Sequence, residues 1–199
     1  MSSKKDKFYL NLAWNLAKQH EGLTSANPSV GCVIVKDNKI LSLSKTSING
    51  RPHAEDNAIR FANTNDLKGS TIYVTLEPCT HHGKTPPCTD LIIKKKISKI
   101  VYASNDIDER TANKLKKVLK NHNISTKQIR MKEITDFYKS YFFIRKNKFP
   151  YITAKLACSN DYYIYSKKNK NITNELSRKT SHLLRYKNNA ILISSKTLN

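Results

Sequence analysis

His53, Cys79 and Cys88 supply one imidazole and two thiols, and Glu55 adds a carboxylate two residues after the histidine. That donor set suits a catalytic zinc ion, which takes three protein ligands and keeps its fourth position for water or substrate. Zinc so held brings the pKa of its water down to about 7, so a hydroxide nucleophile is available at neutral pH. Glu55 is then the acid–base group, taking the water's proton and passing it to the reacting molecule. Cys79 follows an apolar run and Pro78, close to the start of the next helix. A helix amino end there favours a thiolate. The competing arrangement is a closed structural site with His81 or His82 as fourth ligand. Such sites favour knuckle-like cysteine spacings, whereas eight residues separate Cys79 from Cys88.

Zinc-dependent base deaminases carry His-x-Glu followed by Pro-Cys-x-x-Cys, with the glutamate outside the ligand set. His53-Ala54-Glu55 matches the first half, and Pro78-Cys79 opens a stretched version of the second. The expected chemistry is hydrolytic deamination, in which water adds to a ring carbon and ammonia leaves.

The elements that must position these groups are legible from periodicity. Apolar residues Phe8, Leu12, Leu16 and Ala13, Ala17 predict a helix over 7–20. Residues 30–36 and 39–44 predict two strands around a Lys36-Asp37-Asn38-Lys39 hairpin turn. A helix over 54–63 starts at the His-Ala-Glu motif, and a β-branched strand over 71–76 leads into Pro78-Cys79. Then follow a helix over 89–96, a strand over 99–103, a helix near 111–121, a strand near 124–130 and a helix over 133–146. This alternation predicts an α/β fold with a mixed central sheet covered on both faces by helices. Residues 151–156 predict a further strand, and the rest of the tail one more and a helix around 173–187. Two domains are expected, 1–147 and 148–199.

The formal net charge is +21, from 36 Lys and Arg against 15 Asp and Glu, which raises nucleic-acid binding. The lysines are scattered, and no aromatic residues interleave Lys94-Lys95-Lys96 or Lys114-Leu115-Lys116-Lys117 as a base-stacking platform requires. No nucleic-acid partner is expected; the charge instead helps recruit an anionic small substrate. No apolar run approaches the roughly 20 residues that span a bilayer. The start, Met1 to Lys7, has charge without an apolar region behind it, so no membrane partner and a cytoplasmic location are expected. Cysteines there read as metal ligands or core residues rather than disulfides. Cys32, inside Val30–Val35, reads as core, and Cys158 carries no assigned role.

The segments Asn27-Pro28-Ser29-Val30-Gly31-Cys32-Val33-Ile34-Val35, Pro52-His53-Ala54-Glu55, Thr75-Leu76-Glu77-Pro78-Cys79 and His81-His82-Gly83-Lys84-Thr85-Pro86-Pro87-Cys88 carry a resemblance. The chain resembles the bifunctional riboflavin-biosynthesis deaminase–reductase family, within the cytidine-deaminase-like superfamily. The long insert between the cysteines is the distinctive part. The resemblance implies a three-layer α/β/α cytidine-deaminase-like fold with one Zn2+ per chain. It implies deamination of a diaminohydroxypyrimidine ribotide phosphate, with Asn27, His81, Lys84 and Asp106 as substrate-contacting residues. The ammonium of Lys84, in a loop beside the metal ligands, also suits a phosphate on chemical grounds. Thr46 stands where the family commonly has a histidine, and Asp106-Ile107-Asp108-Glu109 replaces the usual Asp-Pro-Asn-Pro. A transfer-RNA-type base deaminase and a catalytically decayed scaffold are the rival readings.

Phe149 to Ala157 is similar to the first strand of the family's reductase half, and Ser159-Asn160-Asp161-Tyr162 and Asn171-Ile172-Thr173 stand where further reductase motifs are found. The sequence stops at Asn199 without a glycine-rich dinucleotide loop. The expectation is therefore a deaminase with a short C-terminal reductase remnant, no NADP, a separate protein for the reductase step, and self-association into a homo-oligomer.

Overall fold

The computed structural model describes residues 2–62, 67–83, 85–164 and 172–195. Lys84 and the whole Lys/Asn-rich tract at 167–171 lie outside these residues. The chain divides into two compact units, Met1–Pro150 and Tyr151–Asn199.

The first unit is built on five strands, β1 (Gly31–Lys36), β2 (Lys39–Lys45), β3 (Thr71–Leu76), β4 (Lys99–Ser104) and β5 (Ser125–Gln128). They lie in the order β2-β1-β3-β4-β5. β1 runs antiparallel to β2 and β3, and β3, β4 and β5 run parallel, so the sheet is mixed as expected. The β1–β2 turn places Asp37 and Asn38 at φ of 49° and 64°. Two consecutive left-handed residues make the tight hairpin that matches strand twist, and Asp and Asn tolerate that conformation best after glycine. Among the described residues six α-helices accompany the sheet: α1 (Ser2–Gln19), α2 (Ala54–Arg60), α3 (Cys88–Lys94), α4 (Leu115–Leu119), α5 (Lys132–Phe137) and α6 (Lys139–Asn147).

Strand side chains alternate between faces, and the two faces carry different helices. Tyr73 stacks on Tyr9 of α1 with ring centroids 4.8 Å apart and donates its hydroxyl to Asp6 at 3.0 Å. The next residue of β3, Val74, and its partner on β1, Cys32, point to the opposite face, where Cys32 comes within electrostatic reach of Glu55 in α2. This is the three-layer α/β/α arrangement.

α1 sits unusually close to the sheet because Ala13, Ala17 and Gly31 offer almost no side chain between the two backbones. A β-carbon on Gly31 would lie 1.8 Å from the Ala13 carbonyl oxygen, and a backbone atom cannot swing aside. Gly31→Ala is therefore expected to destabilise the protein by about 3 kcal/mol or more, the upper range for overpacking. A urea midpoint unchanged from the parent protein would contradict that close approach.

The helix expected over 133–146 is instead two helices, broken at Tyr138. That side chain is fully enclosed, its hydroxyl lying 2.6 Å from the Thr75 hydroxyl and donating to the Ser29 carbonyl at 3.0 Å. Anchoring the ring inside the core takes the backbone to φ −87°, ψ 4°, which ends α5 and starts α6. The helix expected near 111–121 shrinks to α4, because residues 109–114 form turns and Asn113 takes a φ of 59°.

In the second unit, α7 (Glu175–Tyr186) begins at Asn174, whose side chain accepts the Ser177 amide at 2.8 Å. The strand expected over 151–156 does not form. Among the described residues all five strands belong to the first unit, and an unpaired segment has no ladder to complete. Ile152 and Leu156 remain about three-quarters exposed.

Candidate active site

The parallel pairing of β3 with β4 sets Leu76 opposite Ser104, so the loops leaving both strands emerge side by side at their carboxyl ends. Crevices at the carboxyl ends of parallel strands are where ligands bind in α/β sheets. The β3 loop carries Cys79 and returns to Cys88, the first residue of α3, while His53 immediately precedes α2. Two helix starts and one loop thus converge. Cys88, rather than Cys79, opens the helix, and its amide donates to the Cys79 sulfur at 3.2 Å.

His53 Nδ1 lies 3.4 Å from Cys88 Sγ and 3.7 Å from Cys79 Sγ, and the three donor atoms all fall within 4.8 Å of one another. A tetrahedral zinc bonded at about 2.3 Å to sulfur and about 2.0 Å to nitrogen sets a sulfur–nitrogen edge of about 3.5 Å. The observed separations fit that edge. Among the described residues, no fourth His, Cys, Asp or Glu joins the group. His82 is largely exposed, 3.9 Å from Asp90, and the His81 Nδ1 bonds the Thr111 hydroxyl at 2.9 Å.

The electrostatics single out Cys79 and Glu55. The Cys88 thiol, hydrogen-bonded to Cys79, draws the Cys79 thiol down to about 4 against its burial, with His53 assisting. The same partner and burial push Cys88 well up. The hydrogen bond to Cys79 raises His53. Glu55 is buried, and burial pushes its carboxyl up to about 7, with the His53 charge opposing. A general acid–base group works best with a pKa near the working pH.

These residues open into a cavity of about 420 Å3, a size suited to a small molecule. Asn27 lines it, its side-chain nitrogen donating to the Gly50 carbonyl at 3.0 Å. His81 lines it as well, and so does Asp106, which accepts the Tyr141 hydroxyl at 3.2 Å and the Asp108 amide at 3.1 Å. The structure therefore gathers Asn27, His81 and Asp106 around the His53, Glu55, Cys79 and Cys88 cluster, while Lys84 lies outside the described residues. Thr46, the residue at the altered position, also faces the cavity, with its hydroxyl bound to the Val30 amide at 3.0 Å.

Three cavity residues are not apparent from the sequence: Arg51, Arg110 and Arg145. Arg110 holds Asp108 with two bonds of 2.8 and 2.5 Å, and Arg145 lies 4.0 Å from the same carboxylate with its guanidinium 5.5 Å from the Tyr141 ring centre. This arginine pair draws Asp108 well below the ordinary carboxylate range. Asp108 falls in the segment that departs from the Asp-Pro-Asn-Pro pattern, so the departure brings its own ion-pair partners.

Comparison with known proteins agrees with this geometry. The family described as the cytidine and deoxycytidylate deaminase zinc-binding region matches residues 3–104. The riboflavin biosynthesis protein RibD of Aquifex aeolicus is 39% identical over 196 residues, covering 97% of this chain and 55% of that protein. A diaminohydroxyphosphoribosylamino-pyrimidine deaminase of Buchnera aphidicola subsp. Schizaphis graminum is 43% identical over 141 residues, covering 71% of this chain and 95% of that protein. The solved deaminase/reductase of Thermotoga maritima superposes with a TM-score of 0.83 at 34% identity, covering 92% of this chain and 54% of that one. The chain spans about half the length of the RibD proteins it matches. From signature residues, fold and relatives together, the chain belongs to the zinc-binding cytidine and deoxycytidylate deaminase family, in the branch of the riboflavin-biosynthesis deaminases.

Proposed function

We propose that the chain hydrolytically deaminates diaminohydroxyphosphoribosylaminopyrimidine, replacing one ring amino group by oxygen and releasing ammonia, with one zinc per chain held by His53, Cys79 and Cys88. The observation that carries the reading is the open three-donor cluster beside buried Glu55, in a chain that covers nearly the whole of a relative bearing that deaminase name. When bound, zinc supplies an acidified water as nucleophile. Glu55 takes that water's proton on its carboxylate, delivers it to the adjacent ring nitrogen, and serves the departing amine in the same way. Burial of Glu55 keeps its proton from exchanging freely with solvent and its pKa near neutrality. Asn27, His81 and Asp106 orient the pyrimidine from the cavity wall. Arg51, Arg110 and Arg145 provide the positive side toward which the phosphate turns, and Lys84 is a further phosphate contact on the strength of its motif position alone. Residues 1–147 form the deaminase domain and 148–199 a reductase-like segment.

The test is ammonia release from zinc-loaded protein offered the pyrimidine ribotide, transfer RNA and single-stranded DNA in parallel. Turnover of the ribotide alone is expected. Deamination of either nucleic acid with none of the ribotide would favour the base-deaminase reading, and no turnover at all would favour a decayed scaffold.

A further inference from the structure

We propose that Glu77 is a positioning residue that holds the substrate wall of the cavity against the metal-ligand loop. This rests on the deaminase reading above for its kinetic consequence, though not for its geometry. Glu77 leaves β3 two residues before Cys79 and is 4% exposed. Its carboxylate accepts three backbone amides from one loop: Asp106 at 3.2 Å and Asn113 at 3.3 Å on Oε2, and Leu115 at 3.4 Å on Oε1. Its own amide donates to the Ser104 carbonyl at 2.8 Å, so backbone and side chain both fasten the segment that follows β4.

That segment carries Asp106, Asp108 and Arg110, all of which line the cavity. It also touches the loop after Cys79 through Thr111, 2.9 Å from His81, and through the Arg110 carbonyl, which accepts the Thr80 hydroxyl at 3.4 Å. Asp106 and Asn113 lie outside helix and strand and Leu115 is the first residue of α4, so none of the three amides has a ladder or intrahelical partner, and those that are buried must be satisfied by something. Glu77 is the acceptor that the fold supplies. Glu77 itself lines the cavity, and with both carboxylate oxygens engaged by these amides it sets where the wall stands. A wall that samples several positions binds substrate more weakly in proportion to the fraction of time it is competent.

Glutamine is the discriminating replacement. It keeps size and shape but turns one acceptor oxygen into a donor facing amide donors, so at least one of the three bonds is lost. Glu77→Gln is expected to raise KM for the ribotide about tenfold, the equivalent of one charge-assisted hydrogen bond. Its kcat should stay within about twofold and its zinc content should equal that of the parent, since an interaction lost equally from ground and transition states leaves kcat alone. Glu77→Asp, which keeps both oxygens on a shorter arm, should fall between the two. Unchanged KM, or loss of kcat and zinc together at constant KM, would overturn the proposal. Hydrogen exchange of the parent protein provides a readout independent of folding of the variants and of the reaction. The amides of Asp106, Asn113 and Leu115 should be protected despite lying in a loop or at a helix start, and Glu77→Gln should release them. Fast exchange of all three in the parent would also overturn it. Should the chain fail to deaminate the ribotide while these amides are protected, the substrate assignment falls and the tether stands.

Discussion

Glu55→Gln is expected to leave a folded, zinc-loaded protein whose kcat for ammonia release is lower by about 10^2- to 10^4-fold, the range that a positioned acid–base group contributes. Glutamine preserves the volume of a side chain that is 4% exposed, so neither packing nor the donor cluster is disturbed. What disappears is a proton carrier. The amide cannot accept a proton from the attacking water or return one to the ring. Because the loss falls on a step after binding, KM should change far less than kcat. Turnover near the parent level in this variant, with zinc intact, would remove Glu55 from the mechanism.

Cys88→Ser is the second large effect. The hydroxyl is close to the thiol in size, and Cys88 is buried at the start of α3, so the helix should persist while the donor set drops to His53 and Cys79. Zinc is expected to fall from about one per chain to a small fraction after dialysis, and ammonia release to fall with it, because the ion needs all three protein ligands in a catalytic site. The parent protein stripped of metal should also unfold more readily. At free zinc a hundredfold above the dissociation constant, binding to the folded state alone contributes about 2.7 kcal/mol. Equal melting temperatures for the metal-free and zinc-loaded parent would mean the cluster does not hold an ion in the folded protein.

The central cluster was legible in the sequence because zinc chemistry demands particular side chains, and His53, Glu55, Cys79 and Cys88 stand at element boundaries that hydrophobic periodicity locates. The hairpin at Asp37-Asn38 was legible for the same kind of reason, since those residue types suit left-handed backbone. The arginine side of the cavity was hidden. Arg51, Arg110 and Arg145 come from three distant segments of a chain carrying 36 basic residues, so nothing in composition sets them apart. The shortening of α4 was hidden because its cause is long-range: Glu77, just beyond β3, accepts the amides of Asn113 and Leu115, so the helix starts at Leu115 rather than near 111. The strand over-read at 151–156 shows the reverse error. Its residue types suit a pleated ladder, but a ladder requires a neighbour that the described residues of its unit lack. The pair Glu77-Pro78 before Cys79 did offer a clue, since a carboxylate at the end of a buried strand must find donors.

An ion bound by three side chains, with a vertex left for reaction, is the centre of the proposed chemistry. Zinc titrated into metal-free protein, with ammonia release from the pyrimidine ribotide followed at each addition, tests this directly. The rate should climb in proportion to bound zinc and level off at about one ion per chain. A rate indifferent to added zinc, or a protein that takes up none, would contradict it.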